Sequence, residues 1–199
     1  MSHFIVGLTG PIGAGKSSVS ALLQEMGLQC IDADQVSRQV TSPGSPCLED
    51  LVKAFGPQIL HNEALDRKKL AAIAFQSEEN RNVLEQITHP YITREIVRLT
   101  DLLPDGDIVV VEATMLFGSP LEPLCHTIVA VIADDTVRLE RILNRDSIDS
   151  NAALMRMRSQ PSCEEYRRRA THTVVNNGGR DELMRQTAQL YTRLKEACL

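Results

Sequence analysis

Hydrophobic positions along this chain fall into two alternating patterns. Continuous apolar runs occur at Phe4-Ile5-Val6-Gly7-Leu8-Thr9, Ile108-Val109-Val110-Val111-Glu112 and Thr127-Ile128-Val129-Ala130-Val131-Ile132. Strands covered on both faces read this way, so these runs predict a parallel sheet with helices on each side. Leu28-Gln29-Cys30-Ile31 and Thr173-Val174-Val175 are shorter candidates of the same kind. Helical spacing lies between the runs. Val19, Leu22, Leu23 and Met26 stand at i, i+3, i+4 and i+7, with Gly27 placed to end that helix. Val137, Leu139, Ile142 and Leu143 mark another helix behind Asp134-Asp135-Thr136, and Leu183, Leu190 and Leu194 a last one. The alternation predicts an α/β fold.

The rhythm breaks at Thr41-Ser42-Pro43-Gly44-Ser45-Pro46. From about 47 to 103 the spacing is helical, punctuated by Phe55-Gly56-Pro57 and interrupted by His89-Pro90. That predicts one helix near 80–87 and a separate one from 91. The stretch is too long for a simple crossover and reads as an inserted helical subdomain, a natural place to bind an acceptor.

Chemistry enters at Gly10-Pro11-Ile12-Gly13-Ala14-Gly15-Lys16-Ser17, which fits G-x-x-x-x-G-K-[ST] at every fixed position, with Ser18 following. Glycines let backbone wrap closely round a phosphate, and the loop opens a helix whose N-terminus carries partial positive charge. In that pattern Lys16 reaches the β- and γ-phosphates and the Ser17 hydroxyl ligates Mg²⁺. Strand, loop and helix follow one another as the motif requires. The glycines at 10, 13 and 15 do not fit the dinucleotide fingerprint.

Acids stand where such a site needs them. Asp32 and Asp34 follow the second strand candidate, where ligands of open α/β sheets sit. Two apart on extended chain, they point in opposite directions. One can accept a hydroxyl proton while the other holds the metal's waters; alternatively Asp34 is the N-cap of a helix over 35–40. Glu112 ends its strand at the position of a magnesium-supporting carboxylate. His89 is either a functional group or a helix-cap or structural histidine. Arg138, Arg141 and Arg145 lie within two turns, and Arg141 and Arg145 share a face. They form either a solvated face or a phosphate contact, for which the planar guanidinium fork is suited. Arg156, Arg158 and Arg167-Arg168-Arg169 continue a basic segment of the kind that closes over a nucleotide.

Composition narrows the classes. A chain of 199 residues with 43% hydrophobic and 24% charged residues is ordinary for one globular domain, and a net charge of −5 gives no nucleic-acid footprint. Eight of the sixteen arginines fall between 138 and 169, which favours a local anion site. Five cysteines without a C-x-x-C pair argue against disulfides and zinc and for a reducing cytoplasm. A strand begins almost at the N-terminus, which leaves no room for a signal peptide, and no apolar run has membrane-spanning length.

The order Gly7-Leu8-Thr9-Gly10, Gly15-Lys16-Ser17, Ile31-Asp32-Ala33-Asp34, Phe55-Gly56, Leu65-Asp66-Arg67, His89-Pro90, Arg141, Arg145-Asp146, Ser159-Gln160, Asn176 and Gly178 resembles the dephospho-coenzyme A kinase family. The similarity runs from about residue 4 to the last helix. It implies ATP-dependent phosphorylation of the ribose 3′-hydroxyl of dephospho-coenzyme A, the last step of coenzyme A synthesis. It further implies a P-loop NTPase fold with five parallel strands, helices on both faces, an inserted helical substrate domain and a lid. The core would take 1–40, 104–134 and 170–199, the acceptor subdomain 41–103, and the Arg-rich lid 135–169. By position, Asp34 matches the catalytic base, and Lys16 and Ser17 the phosphate and magnesium contacts. Gly10, Ile12, Gly13, Ala14, Gly15 and Ser18 belong to the nucleotide loop. Arg141 and Arg145 match catalytic lid arginines, Asn176 and Gly178 the segment beside adenine, and Arg67 and His89 the acceptor region. Small-molecule partners, ATP and dephospho-coenzyme A, with Mg²⁺, are implied; no nucleic acid or membrane is, and the chain would be a monomer or small homo-oligomer.

Two departures stand out: Glu112-Ala113-Thr114-Met115-Leu116-Phe117-Gly118 lacks the family's usual aspartate, proline and final glutamate, and Thr171 replaces an aspartate. Another small-molecule P-loop kinase, or a homologue that binds nucleotide without turnover, would share the loop. A GTP switch would need N-K-x-D, which does not occur.

Overall fold

The computed structural model describes residues 3–198. In chain order the elements are β1 (Phe4–Thr9), α1 (Lys16–Glu25), β2 (Gln29–Asp32), α2 (Ala33–Val40), α3 (Pro46–Phe55), β3 (Leu60–His61), β4 (Ala64–Leu65), α4 (Arg67–Ala74), α5 (Glu78–Asp101), β5 (Ile108–Glu112), β6 (Thr127–Ile132), α6 (Asp135–Asp146), α7 (Ser150–Arg158), α8 (Cys163–Arg169), β7 (His172–Val175) and α9 (Arg180–Ala197). They form two compact units, 32–102 and the remainder.

The larger unit is built on a five-stranded parallel sheet of order β2-β5-β1-β6-β7. β1 lies between β5 and β6, so the chain leaves it towards one edge and later returns to build the other. Such a reversal opens a crevice at the carboxyl end of the central strand, and the glycine loop leaves β1 there. Alternation along β6 explains its unbroken apolar run. Val129 and Val131 pack with Leu23 of α1 and Leu194 of α9, whereas Ala130 and Ile132 pack against Tyr166 of α8. Both faces are dry, so both parities are apolar.

The unit over 32–102 has its own core, where Cys47, Leu51, Phe55, Ile59 and Leu70 pack with Val83, Leu84, Ile87 and Tyr91. Two expectations change here. His89-Pro90 does not end a helix; α5 runs unbroken for 24 residues with Pro90 inside. Proline removes one backbone donor, but Ile87 and Tyr91 on either side bury against the same core and carry the helix through. The stretch is also not wholly helical: β3 and β4 pair antiparallel. Their turn residues Asn62 and Glu63 have φ of 49° and 63°, the left-handed pair that matches hairpin twist.

All five cysteines are free. Burial pushes the thiols of Cys47 and Cys125 up to about 11, so they stay protonated at neutral pH. Among the described residues, no helix is long and apolar enough to cross a membrane.

Candidate active site

The phosphate-loop motif is built by close backbone approach. Gly10 has φ of 147°, and a Cβ there would run into the Val131 carbonyl on the neighbouring strand. Gly15 has φ of 96° and faces the Asn176 side-chain amide where its Cβ would project. Gly15→Ala therefore combines left-handed strain with displacement of Asn176. The expected cost is about 1–3 kcal/mol, a fall of about 2–12 °C in Tm, with weaker ADP binding. Thermal melts and an ADP titration read both; a wild-type melt would show that the loop adapts.

Side chains from outside the loop hold its carbonyls. Arg138 Nε donates to the Ile12 carbonyl at 2.9 Å, and Asn176 Nδ2 to the Ala14 carbonyl at 2.8 Å. Arg141 Nη1 makes longer contacts of 3.5 Å to the Gly13 and Ala14 carbonyls. In a trans peptide the carbonyl and the next N–H point in opposite directions. Pulling the Ile12 and Ala14 carbonyls outward thus turns the Gly13 and Gly15 amides into the loop. α1 then starts at Lys16 with no acid in its first turn, so nothing on the helix competes with an incoming anion. Lys16 Nζ donates to the Gly10 carbonyl at 2.9 Å, which spans the loop from end to start.

Ser17 and Glu112 meet: Oγ donates to Oε1 at 3.1 Å. A hydroxyl and a carboxylate in contact form the hard-oxygen pair that suits Mg²⁺, an ion that keeps waters and takes its remaining ligands from phosphates. Glutamate at 112 therefore reaches the serine despite its extra methylene. The altered segment behind it is well anchored. The Phe117 ring lies under the Arg169 guanidinium at 4.1 Å and 5.7 Å from Tyr166. Arg169 also pairs with Glu122 at 3.1 Å.

Beside the loop opens a cavity of about 440 Å³, with Gly15, Ser18, Leu22, Asn176, Gly178 and Leu183 in its walls. Its apolar side chains and glycine backbone leave room for a flat heterocycle, with the charged Glu25, Arg141 and Arg180 also in its walls. Asn176 is 5% exposed, and the buried amide both anchors the loop and borders this cavity.

Four further arginines, Arg145, Arg156, Arg167 and Arg168, are engaged with nearby carboxylates. Arg145 makes a two-pronged bond to Asp146 at 2.6 and 3.1 Å, and Arg156 bonds the same carboxylate at 2.8 Å. These cations, Arg145 first, hold the Asp146 carboxyl below its ordinary value. Arg167 and Arg168 pair with Glu164 and Glu165 on their own helix.

In the other unit, Asp34 lies exposed in the first turn of α2. It is not the N-cap. Asp32 caps the helix, its Oδ1 accepting from the N–H groups of Asp34 at 2.8 Å and Gln35 at 3.1 Å. Helix starts at Ala33, so the two acids do not alternate on an extended strand. Arg67 opens α4, and its Nη2 donates to Thr41 Oγ1 at 2.6 Å. Burial, and after it the charge of Arg38, lower the Arg67 guanidinium from its ordinary value. His89 is half-buried in mid-helix, which excludes the helix-cap reading.

Two residues at the loop, named from sequence only within the arginine cluster and the Ser159-Gln160 motif, were not recognised as its supports. Arg138 was one of three clustered arginines, yet it alone is buried, at 3% exposure. Gln160 accepts the Ile12 N–H at 2.7 Å. Nothing in their spacing marks that role.

Comparison with known proteins adds an independent line. The family model described as dephospho-CoA kinase matches residues 4–182. A dephospho-CoA kinase of Halalkalibacterium halodurans is 38% identical over 194 residues, 96% of each chain. Another, of Moorella thermoacetica, is 42% identical over 181 residues, 88% of this chain and 84% of that one. A crystal structure from Thermus thermophilus superposes with a TM-score of 0.87 at 29% identity, covering 97% of this chain and 98% of that one.

Proposed function

We propose that this chain, which belongs to the dephospho-CoA kinase family, transfers the γ-phosphoryl group of ATP to the ribose 3′-hydroxyl of dephospho-coenzyme A. The products are coenzyme A and ADP, so the reaction completes coenzyme A synthesis. The observation that carries the nucleotide half is the loop itself, whose carbonyls are held outward by Arg138 and Asn176 beside a cavity of about 440 Å³.

Each candidate residue takes a role its chemistry fits. The amides of the loop from Gly10 to Ser18, with Ile12, Gly13, Ala14 and Gly15 between them, cradle the phosphates. Lys16 adds a point charge at the β- and γ-phosphates. Asn176 and Gly178 border the adenine. Ser17, supported by Glu112, is the protein's ligand for Mg²⁺, which neutralises charge on the triphosphate when bound. Asp34 takes the proton of the acceptor hydroxyl. Arg141, already 3.5 Å from two loop carbonyls, and Arg145 stabilise charge on the transferring group; Arg145 must first leave Asp146. These are positioning and electrostatic effects, with no covalent intermediate.

The segment 135–169 acts as a lid that excludes water from the transfer, and 41–103 receives the acceptor, with Arg67 and His89 as contacts. Arg38 near Arg67 supports an anion there, because two cations in proximity gain from a phosphate between them. We read the protein as a cytoplasmic monomer or small homo-oligomer acting on small molecules alone; its free thiols support a reducing compartment.

The test is ADP release from purified protein with Mg-ATP, with and without dephospho-coenzyme A. Strong stimulation, with a product one phosphate heavier by mass, is expected. Absence of stimulation in a protein that still binds ATP would defeat the acceptor assignment, and a panel of hydroxylated acceptors would then find the true one.

A further inference from the structure

Residue 12 fixes two consecutive peptide planes of the phosphate loop, and both are gripped from outside. Its N–H donates to Gln160 Oε1 at 2.7 Å; its carbonyl accepts from Arg138 Nε at 2.9 Å. Neither partner belongs to the loop or to its flanking strand and helix. Arg138 sits on α6, and Gln160 follows α7, 126 and 148 residues along the chain from Ile12.

The two grips differ in kind. Arg138 is itself immobilised: its Nη1 pairs with Asp135 Oδ1 at 2.8 Å and contacts Cys163 Sγ at 3.5 Å. Its side chain is 3% exposed, so it supports the loop from beneath and does not reach out to a ligand. Gln160 is half-buried in the short link between α7 and α8, and its position follows that link.

We propose that Arg138 and Gln160 are positioning residues, a two-sided clamp on Ile12 that sets the loop's amides for a nucleotide's phosphates. Through Gln160 the clamp ties the α7–α8 link to the loop, so that displacement of the link loosens the cradle. The inference rests on the nucleotide reading of the loop, but the clamp can be tested without any ligand.

Gln160→Met keeps the length of the side chain and removes the acceptor; Gln160→Glu keeps the acceptor. Amide hydrogen exchange at Ile12, followed by NMR in the nucleotide-free full chain, reads the clamp directly. Losing one hydrogen bond predicts that Gln160→Met exchanges about two- to tenfold faster at Ile12, while Gln160→Glu stays near wild type. ADP should bind Gln160→Met about two- to tenfold more weakly, with adenosine, which lacks phosphates, unaffected. Unchanged exchange at Ile12 in Gln160→Met would overturn the proposal, as would equal weakening of ADP and adenosine. If Ile12 responds as expected but wild-type protein does not bind ADP, the clamp stands and the nucleotide reading falls.

Discussion

Asp34→Asn is expected to lower kcat for transfer by about two to four orders of magnitude, the range of a lost general base, while nucleotide affinity is kept. The expectation is sharp because Asp34 does not cap the helix around it. Asp32 caps α2, so the substitution leaves the capping bonds from 34 and 35 in place. What the helix loses is one negative charge in its first turn, worth about 0.3–1 kcal/mol at an exposed N-terminus. Asparagine has nearly the same shape and can still orient a hydroxyl, but it cannot take its proton. Steady-state ADP release with dephospho-coenzyme A, set beside ADP affinity by calorimetry and a thermal melt, separates the possibilities. Turnover like wild type would remove Asp34 from the base role. A parallel loss of ADP binding would mean that Asp34 contributes to nucleotide binding.

The buried strands of the sheet are legible in sequence because burial on both faces removes the need for alternation. Residues 4–9, 108–112 and 127–132 are apolar at nearly every position and became β1, β5 and β6. The loop is legible for another reason: Gly10 and Gly15 adopt backbone angles few other residues tolerate, so geometry writes itself into composition. Features that depend on partners distant in sequence were hidden. Pro90 looks like a helix end locally, and only burial of Ile87 and Tyr91 in one core keeps α5 whole. Asn62 and Glu63 contain no glycine to announce a left-handed turn, so the β3–β4 hairpin reads as helix.

The site shows the same division. Ser17 and Glu112 are 95 residues apart, yet both could be named, because each occupies the end of a predictable element facing the same crevice of one sheet. Asp32 and Asp34 could be named but not assigned their roles: which acid caps depends on whether helix starts at 33 or 35, a shift of half a turn. Arg138 and Arg145 look equivalent on a helical wheel stripe of cations. Packing makes one a buried support of Ile12 and leaves the other on Asp146. Charge spacing alone cannot distinguish a loop anchor from a reserve cation.

Lys16→Ala should reduce kcat/KM for ATP by about two to three orders of magnitude, as loss of one transition-state donor does at a water-poor site, and here KM and kcat should both move. The lysine has two connected tasks. Its ammonium bonds the Gly10 carbonyl at 2.9 Å, joining the first residue of the motif to the helix that ends it. On the proposed reading it also supplies positive charge to the β- and γ-phosphates of ATP, which would be felt more strongly as charge moves in transfer. Alanine removes both, so ADP should bind more weakly while adenosine, held by the neighbouring cavity, should not. The fold should survive, because β1, which leads into the loop, is held between β5 and β6 by its backbone ladders and not by the lysine. Arginine should rescue poorly: its planar fork is not a substitute for a compact ammonium between backbone and phosphate. Kinetics of Lys16→Ala indistinguishable from wild type would contradict the phosphate-loop assignment itself, whereas a defect in ADP and adenosine binding alike would place the damage in the base cavity and not at the phosphates.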